Sequence, residues 1–520
     1  TIDEFWRQEV APKIEAIQHQ EPGVAVGLLR RAAELGLTAV VLPEEYGGLE
    51  MDFHALQVVA ECMGRDGSFS AWYGAHTGIG TLPVLLFGTP EQKQRYLPRL
   101  ASAEMIAAYC LSEPQAGSDA LAAKTRADLS PDGSHYVLNG QKMWITNGGA
   151  ADLYTIFAKV GGDQFTAFLV ERSYPGVNPG AEEKKMGIKG SSTTAIYLDN
   201  VKVPKENVLG EVGRGHIIAF NILNLGRLKL GPFAVGGAKQ VLGASLEYAQ
   251  ERRAFGKSIG EFGMIRHKLA EMAVRIYAAE SIAWRTGGMV QDRLEGFSWQ
   301  QPDAAKTMLA AVEEYAAECS IVKVFCSEML DYVVDEGVQI HGGYGYHQDY
   351  LVERAYRDSR INRIFEGTNE INRLLTAGML LKRAQRGGLK LVEAVARLEK
   401  ELAGGGQPDG SGELAALEGM TAAQAAKKIT LLALGIAWQR FRESLEEQQE
   451  VLAAISNLTM AAFAMESCVL RAAKSGSEQA KRYTQVYCEE NLTAVEATAR
   501  ELFAACGEGD QLRLNITMLR

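Results

Sequence analysis

The spacing of apolar positions changes near residue 105. Before it, apolar residues recur with the period of a helix, as over 21–35 and 53–63, which predicts an N-terminal α domain at 1–105. Beyond it, short alternating or β-rich stretches separated by turn residues predict a central β domain at 106–215. The Asn139-Gly140 pair has the composition of a hairpin turn. We expect strands at 106–111, 125–129, 136–138, 142–146, 154–159, 165–171 and 195–203.

Long helical periods return after residue 215. Short connections between four of them favour a four-helix bundle at 216–385. A Gly-rich stretch at 404–412 has the composition of a flexible break, and the helical pattern around it predicts a C-terminal helical extension at 386–520. The predicted fold class is therefore α+β multidomain. The four bundle helices are expected at 216–251, 264–292, 303–335 and 370–384.

Composition narrows the classes of function. The 520 residues carry a formal net charge of −10 and no basic stripe, which argues against nucleic acid as a partner. Seven cysteines without a Cys-x-x-Cys pair suit a reducing compartment. We expect a cytoplasmic protein, or one of the mitochondrial matrix if a leader was removed. The longest apolar run, Ile429 to Trp438, is about half of what spans a bilayer, so no membrane crossing is predicted.

Several familiar catalytic motifs are absent from the sequence. No Gly-x-Gly-x-x-Gly follows a predicted strand, so the sequence lacks the phosphate-binding turn of a Rossmann dinucleotide site. Gly256-Lys257-Ser258 resembles the end of a phosphate-binding loop, but Glu251 stands where that loop needs its first glycine. His341 and His347 are poorly spaced for a shared metal ion. We expect no catalytic metal.

Three clusters carry candidate chemistry. Residues 109–119 join a strand to a Pro and Gly turn rich in hydroxyls and backbone N–H groups, which can bind an anionic or heteroaromatic ligand. In 139–148, alternation places Trp144 and Thr146 on one strand face, where they could hold a planar ligand. Taken alone, the first is also typical of an ordinary strand-end turn and the second of a Trp that fills a β core.

The third cluster surrounds Glu366, which lies between Ile364-Phe365 and a Gly-Thr-Asn turn. Partial desolvation there would raise the pKa of this carboxyl towards that of a useful base. Taken alone, the same pattern is typical of a solvated glutamate at the start of a helix.

The order and spacing of five motifs resemble the acyl-CoA dehydrogenase family, most closely its very-long-chain branch. The resemblance covers about 20–385 and implies the same three-domain fold with a C-terminal bundle. The matching stretches are 111–119 (LSEPQAGSD), 140–148 (GQKMWITNG), 252–257 (RRAFGK), 339–343 (QIHGG) and 364–369 (IFEGTN).

The resemblance also implies a cofactor, FAD, and positions that bind it. Arg252 and Phe255 would grip the FAD of a second subunit, with Gln339 and Gly343 completing that site, and Thr146 would bond near flavin N5. The implied substrate contacts are Ser118, Asn224, Arg227, Phe365 and Gly367. The implied FAD contacts are Tyr109, Leu111, Ser112, Gly117, Ser118, Trp144, Ile145, Thr146, Arg252, Phe255, Gln339, Gly343 and Thr368.

The implied reaction is the first step of fatty acid β-oxidation. Glu366 would take the α-proton of an acyl-CoA while hydride leaves for flavin N5, giving a trans-2-enoyl-CoA. A minority of the family carries the base on an earlier helix, but 224–231 contains no acid. Electrons would pass to an electron-transferring flavoprotein.

The 386–520 extension resembles that of the very-long-chain branch, which implies long acyl chains, a homodimer and peripheral contact with a membrane. It could instead only replace the second dimer of a tetramer. Two other functions stay open at this point: a non-catalytic assembly protein that binds a partner complex through 405–520, and an oxidase that passes electrons to dioxygen.

Overall fold

The computed structural model describes residues 2–404 and 419–519. Two compact units divide the chain. The described parts of Thr1–Ser245, Gly287–Tyr315 and Val333–Glu366 form unit 1, and those of Leu246–Thr286, Ala316–Tyr332 and Gly367–Arg520 form unit 2. The Gly-rich break predicted at 404–412 lies, from 405 onward, outside the described residues.

Unit 1 begins with helices whose starts are encoded locally. Asp52 and Asp66 accept hydrogen bonds from backbone N–H groups of the helices that they precede, and a capping box of Thr89 and Gln92 starts a third. The helices pack around a shared apolar core that includes Phe69. They are α1 Ile2–Phe5, α2 Ile14–Gln18, α3 Val24–Glu34, α4 Phe53–Met63, α5 Gly67–Gly74, α6 Leu82–Phe87 and α7 Pro90–Ala101.

An eight-stranded sheet follows in unit 1. Its order is β6-β7-β3-β2-β4-β5-β8, and β1 pairs in parallel with β4. Tyr136, Leu138 and other inward side chains form its apolar core. The strands are β1 Ala107–Cys110, β2 Arg126–Leu129, β3 His135–Thr146, β4 Leu153–Val160, β5 Gln164–Glu171, β6 Val177–Glu182, β7 Thr193–Pro204 and β8 Val208–Leu209.

The hairpin predicted at Asn139-Gly140 was wrong. The strand β3 runs through this pair as one element and only shifts register against β7 between Leu138 and Gly140. A Cβ at Gly140 would lie 2.5 Å from Thr125 Oγ1, so glycine is needed here for the close approach of β2 and not for a turn. The edge strand β6 was not predicted, because Pro179 and Gly180 interrupt its pattern.

The rest of the chain is helical. The predicted helix at 303–335 is two helices that meet at Tyr315, and the second continues to His341. A two-strand hairpin of β9 Arg253–Ala254 and β10 Lys257–Ser258 also lies here. The helices are α8 Gly215–Glu251, α9 Gly263–Arg293, α10 Ala304–Glu314, α11 Ala316–His341, α12 Leu351–Ser359, α13 Asn369–Gln385, α14 Leu391–Gly404, α15 Met420–Phe441, α16 Gln449–Ser475, α17 Glu478–Cys506 and α18 Gly509–Thr517.

In unit 2, α15, α16 and α17 pack against one another. Within the described residues, α16 is the helix long and apolar enough to cross a membrane by length and composition, although most of it is buried inside the fold. Its apolar face is a core face, which accounts for that composition without a bilayer. The buried residues include Val451, Ile455, Leu458, Ala462, Met465 and Val469.

The predicted fold class is confirmed. The chain combines an N-terminal helical domain, a central β-sheet domain, a helical region and an additional C-terminal helical part. All seven cysteines are free and buried, as small apolar side chains are in a fold without disulfides.

Candidate functional site

Glu366 occupies a strained position in the loop before α13. Its φ of 58° is uncommon for any residue except glycine, and Gly367 follows with φ 82°. The Glu366 carboxylate lies against α8 at Gly226, where a Cβ would be 2.6 Å from Oε2 and 2.9 Å from Cδ. Backbone strain of order 1–3 kcal/mol at such a carboxylate is typical of a functional site.

Two buried polar residues of α8 support this loop. Arg227 Nε donates to the Glu366 carbonyl oxygen at 3.0 Å, and Arg227 Nη1 donates to Asn224 Oδ1 at 3.0 Å. The Arg227 residue is only 5% exposed. Both residues were expected to contact substrate, and in the structure Arg227 directly fixes the backbone of Glu366.

Tyr109 of β1 is brought into the electrostatic field of Glu366. Burial raises the pKa of the Tyr109 phenol well above its ordinary value, and the negative charge of Glu366 adds to this. The phenol donates to the Ala219 carbonyl oxygen at 3.4 Å, and the ring packs edge-on against Phe157. The loop residue Glu366 and the strand residue Tyr109, far apart in sequence, thus share one site.

A fully buried ion pair joins two of the sequence motifs. Lys142 Nζ on β3 donates to Glu113 Oε1 at 2.6 Å and to the Leu111 carbonyl oxygen at 3.3 Å. The Glu113 carboxylate also accepts from the backbone N–H groups of Lys124 and Thr125. Burial alone would raise the pKa of Glu113, but Lys142 and these donors hold it below its usual range.

Sequence reasoning gave Glu113 and Lys142 no role, although a signal existed. On β3, Tyr136, Leu138 and Lys142 are all buried and are spaced by even numbers of residues. A lysine on the inward face of a strand requires a buried acid close by, and Glu113 in the preceding motif is that acid.

The strand residues expected to contact the flavin ring are partly exposed to solvent. Trp144 has φ 56° and is 63% exposed, while Ile145 is buried behind it. A β-bulge lies between Lys142 and Ile145, so Trp144 turns outward without the simple alternation assumed from sequence. Ser112 and Thr146 are partly exposed.

This surface fits FAD. An exposed indole in a strained conformation, together with nearby hydroxyl and backbone donors, suits a flat heteroaromatic ring. A Cβ at Gly117 would meet nothing within 4 Å, so the space beside that loop is free. Ser118 is also exposed.

Arg252 and Phe255, which were expected to bind the FAD of a second subunit, lie at the hairpin in unit 2. Phe255 and Gly256 form its tip with φ 53° and 83°, the pattern of a type I′ turn. Phe255 is 95% exposed, and Arg252 is exposed at the end of α8. An aromatic side chain held outward by a strained backbone is suited to contact a partner or ligand.

The remaining expected site residues divide into two groups. Gln339 and Gly343 are exposed at the C-terminal end of α11 and in the turn after it. Thr368, by contrast, caps α13, because its hydroxyl accepts from the Ile371 N–H at 3.2 Å. Phe365 is partly exposed on the loop beside Glu366.

Gly367 is anchored within unit 2 by residues that sequence reasoning missed. Its carbonyl oxygen accepts from Lys323 Nζ at 2.7 Å and from Asn372 Nδ2 at 2.8 Å. Lys323 Nζ also donates to Asn369 Oδ1 at 2.7 Å. These bonds, with the Thr368 cap, fix the chain immediately after Glu366.

A small, mostly apolar pocket lies between α8 and the N-terminal helices of unit 1. Its volume is about 20 Å³, which is room for a water molecule. Gln57, Thr77 and Lys229 are the polar side chains in its otherwise apolar lining. The lining includes Val41, Phe53, Leu56, Leu82, Leu225 and Leu228.

In the part of the chain that the structure describes, no group of three or more His, Cys, Asp or Glu side chains is arranged to hold a metal ion. The groups that could carry chemistry are the Glu366 carboxylate against Gly226 and the exposed ring of Trp144.

Family comparisons cover nearly the whole chain. The family model of the acyl-CoA dehydrogenase N-terminal domain matches residues 1–104, and that of the middle domain matches 108–201. Two further family models, each of an acyl-CoA dehydrogenase C-terminal domain, match residues 213–381 and 425–520.

Individual proteins agree with these matches. A probable acyl-CoA dehydrogenase of Bacillus subtilis is 48% identical over 100% of this chain and 89% of its own length. The mouse mitochondrial very long-chain specific acyl-CoA dehydrogenase is 42% identical over 70% of this chain and 54% of its own length.

A solved acyl-CoA dehydrogenase from Bacillus anthracis, complexed with FAD, aligns with a TM-score of 0.97 at 48% identity, over 100% of this chain and 90% of that one. The resemblance stated from the sequence is confirmed. The chain belongs to the acyl-CoA dehydrogenase family, FAD-dependent oxidoreductases that dehydrogenate acyl-CoA substrates in fatty acid β-oxidation.

Proposed function

We propose that this enzyme converts a long-chain acyl-CoA to the trans-2-enoyl-CoA with Glu366 as the base. The observation that carries the proposal is the position of the Glu366 carboxylate, which lies on Gly226 while Arg227 holds the adjacent backbone carbonyl. Arg227 fixes the backbone of Glu366, and the missing side chain at Gly226 leaves the space that its carboxylate occupies. Such positioning of the base before substrate arrives favours proton abstraction from a fixed carbon.

The α-hydrogen of a thioester is a weak acid, and a glutamate with a pKa near 4.3 is a weak base. Proton removal therefore needs a less hydrated carboxylate and stabilisation of the developing enolate oxygen. Glu366 is partly buried beside Tyr109, and the Glu366 backbone N–H is our candidate donor to the thioester oxygen. FAD, when bound, supplies the hydride acceptor for the β-carbon.

We assign the flavin ring to the wall built by Leu111, Ser112, Trp144 and Thr146. The buried Lys142–Glu113 pair supports this assignment, because it ties the two motifs into one rigid surface. The exposed Trp144 edge is our candidate exit for electrons to an electron-transferring flavoprotein.

The long-chain preference is supported by the similarity to the very long-chain enzyme of mouse. We further propose a homodimer in which Arg252 and Phe255 of a second subunit, with Gln339 and Gly343, complete each FAD site. Peripheral membrane contact through 386–520 and a reducing compartment belong to the same proposal, the latter supported by seven free buried cysteines.

The test is anaerobic addition of palmitoyl-CoA to the FAD-loaded enzyme. We expect loss of the visible flavin absorbance in the wild type and its persistence in Glu366→Gln. Glu370→Gln, an exposed glutamate in the first turn of α13, is the matched control and should bleach like the wild type. Bleaching by Glu366→Gln would remove Glu366 from the mechanism.

Two further measurements separate the other functions. Peroxide formed in air at the turnover rate would identify an oxidase. Stoichiometric capture of a partner complex, with no bleaching by any acyl-CoA, would identify an assembly protein. Either result would replace the proposed dehydrogenase.

A further inference from the structure

Helix α16 of the C-terminal extension is bonded to α13 at Arg373. Ser456 Oγ donates to the Arg373 carbonyl oxygen, and Asn457 Oδ1 accepts from Arg373 Nε at 2.8 Å. Ser456 is buried, and the two helices pack against each other. Because α13 begins at Asn369, shortly after Glu366, the extension holds the helix that continues directly from the loop of the proposed base.

The guanidinium of Arg373 joins this contact to α11. Its Nη1 and Nη2 donate to Glu328 Oε1 and Oε2 at 2.8 and 2.9 Å, while its Nε donates to Asn457. The guanidinium is planar and rigid, so its three nitrogen donors move together. Only 18% of the Arg373 side chain is exposed, which leaves water few positions from which to replace a lost partner. The direction in which Arg373 faces Glu328 therefore depends on the acceptor that the extension supplies.

Glu328 continues this series of bonds towards the loop. Its Oε1 also accepts from Asn369 Nδ2 at 3.1 Å, and Asn369 Oδ1 accepts from Lys323 Nζ at 2.7 Å. Lys323 Nζ donates as well to the Gly367 carbonyl oxygen at 2.7 Å. Asn369 and Lys323 are both buried. An unbroken series of hydrogen bonds thus runs within unit 2 from the extension to Gly367, the residue that follows Glu366.

The backbone at the end of this series is strained. Glu366 and Gly367 have φ of 58° and 82°, two consecutive residues in the left-handed region. Such a conformation persists only when the surrounding bonds hold it, and polar groups in a buried network depend on one another for their positions. A partner lost at the extension lets Arg373, Glu328 and Asn369 shift. The strained pair can then relax, and the Glu366 side chain changes direction.

We propose that the C-terminal extension takes part in positioning the catalytic base. Through Ser456 and Asn457, α16 holds Arg373, which acts as a positioning residue. The hydrogen bonds beyond Arg373 then fix the backbone at Gly367, and with it the direction of the Glu366 carboxylate. This gives the extension a role within its own chain, separate from any contact with a membrane or a second subunit. The inference rests on the proposed function, since it takes Glu366 as the base.

The test compares Asn457→Ala with a matched control, Ser467→Ala. Asn457→Ala removes the acceptor of Arg373 Nε. Ser467 is also on α16 and accepts from Arg285 Nη1 at 3.1 Å, but Arg285 otherwise pairs with Glu466 of α16 itself. Each variant removes one hydrogen bond between the extension and an arginine outside it. Only Asn457→Ala removes one that leads to the loop of the base.

The first measurement is the rate of anaerobic flavin reduction by saturating palmitoyl-CoA in the FAD-loaded enzyme. We expect this rate to be at least about threefold lower in Asn457→Ala than in Ser467→Ala, the size of effect that substitutions along such networks produce. The FAD content and the half-saturating concentration of palmitoyl-CoA should be equal in the two variants. A smaller difference in rate, or a loss that lies in FAD content or palmitoyl-CoA affinity instead, would overturn the proposal.

A second substitution, Glu328→Gln, tests whether the effect passes along the hydrogen bonds. Glu328 lies between Arg373 and Asn369, so this variant weakens the series at its centre. Asn457→Ala should therefore slow flavin reduction by a smaller factor in Glu328→Gln than in the wild type. Equal factors in the two backgrounds would mean that the residues act independently, and would overturn the proposal.

Hydrogen–deuterium exchange of the FAD-loaded enzyme without substrate gives a measurement that does not depend on turnover. Backbone amides of 367–372 should exchange faster in Asn457→Ala than in Ser467→Ala. Unchanged exchange there would also overturn the proposal. If palmitoyl-CoA leaves the wild-type flavin oxidised, the proposed function fails and this inference fails with it. If the wild-type flavin bleaches and both variants are reduced at the same rate, this inference alone fails.

Discussion

The carboxylate of Glu366 lies directly on Gly226, in the space that a side chain at 226 would occupy. A Cβ there would be 2.6 Å from Oε2 and 3.3 Å from Oε1. Because residue 226 is glycine, α8 leaves room for the carboxylate in this position. The conformation of Glu366 in its loop therefore depends on the absence of a side chain at Gly226.

The first prediction is that Gly226→Ala lowers activity without lowering stability. The new methyl group would meet the flexible end of Glu366 rather than backbone, so the carboxylate would move and the helix would stay. A displacement of about 1 Å is expected to reduce the rate of anaerobic flavin reduction roughly 10- to 100-fold. Stopped-flow absorbance of the loaded enzyme measures this rate.

Gly243→Ala provides the control for that experiment. Gly243 is also in α8 and partly buried, but a Cβ there would meet nothing within 4 Å. Both variants gain about 1 kcal/mol of helix propensity. Equal reduction rates in Gly226→Ala and Gly243→Ala would show that the carboxylate position is not limiting.

The second prediction concerns the buried pair of Glu113 and Lys142. Lys142→Met should destabilise the protein by about 3–5 kcal/mol, because it leaves the Glu113 carboxylate buried without its counter-ion. It also removes the bond to the Leu111 carbonyl, so FAD should dissociate more readily. Thermal unfolding and the FAD content after gel filtration measure the two effects.

Adding Glu113→Gln to Lys142→Met should recover most of the lost stability. The amide oxygen can still accept from the N–H groups of Lys124 and Thr125, and no charge is left buried. A double variant that melts no higher than Lys142→Met would mean that the pair is not coupled. Lys124→Met, an exposed neighbour, should melt like the wild type.

The third prediction is a pH dependence of stability set by Asp358. Burial, helped by the charge of Asp66, raises the pKa of Asp358 to about 7, while Arg354 and Arg357 act in the opposite direction. The unfolded chain has the ordinary aspartate pKa of 3.8, so above that pH the folded state binds more protons than the unfolded state. Stability from Asp358 is fully present below pH 3.8 and is lost as pH rises to about 7.

Asp358→Asn removes this titration and can still accept the hydrogen bond from the Ile188 N–H. Its melting temperature should exceed that of the wild type by an amount that grows between about pH 4 and pH 7 and then stays constant, corresponding to at most about 4 kcal/mol. Exposed Asp349→Asn is the control. A difference that is independent of pH would assign Asp358 an ordinary pKa.

The sequence predicted best those features for which a local residue pattern, or the order of the family motifs along the chain, is sufficient. Glu366 was assigned as the base through the resemblance of 364–369 to the family motif, because its local pattern alone also suits a solvated glutamate, and the structure adds a strained φ and the contact with Gly226. The helical pattern of the C-terminal extension was also predicted, and α16 in it buries an apolar face. That prediction rests on a short-range periodicity, which the folded helix keeps.

Features set by distant neighbours could not be predicted. Asn139-Gly140 has hairpin composition, but it lies inside the continuous strand β3, where Gly140 is closely approached by Thr125, the residue before β2. The acid that pairs with Lys142 lies in another motif, and the role of Arg227 depends on a loop 139 residues later in the chain. Pairings of this kind follow from tertiary packing.

The fourth prediction tests the proposed dimer. If Arg252 of each chain completes the FAD site of the other, Glu366→Gln and Arg252→Ala homodimers should each be inactive. A mixed dimer has one site with both substitutions and one site with neither, because the two residues of a site come from different chains. Equal co-expression makes half of the dimers mixed, so activity should return to about a quarter of the wild-type value.

Differently tagged chains allow the mixed dimer to be purified, and it should then reach about half of the wild-type activity. The FAD content should be close to one per two chains if Arg252→Ala prevents FAD binding at the doubly substituted site. Sites completed within one chain predict the opposite pattern: each mixed dimer would hold one site with only Glu366→Gln and one with only Arg252→Ala, and no activity would return. The direction of complementation therefore decides whether Arg252 acts within its own chain or on a second one.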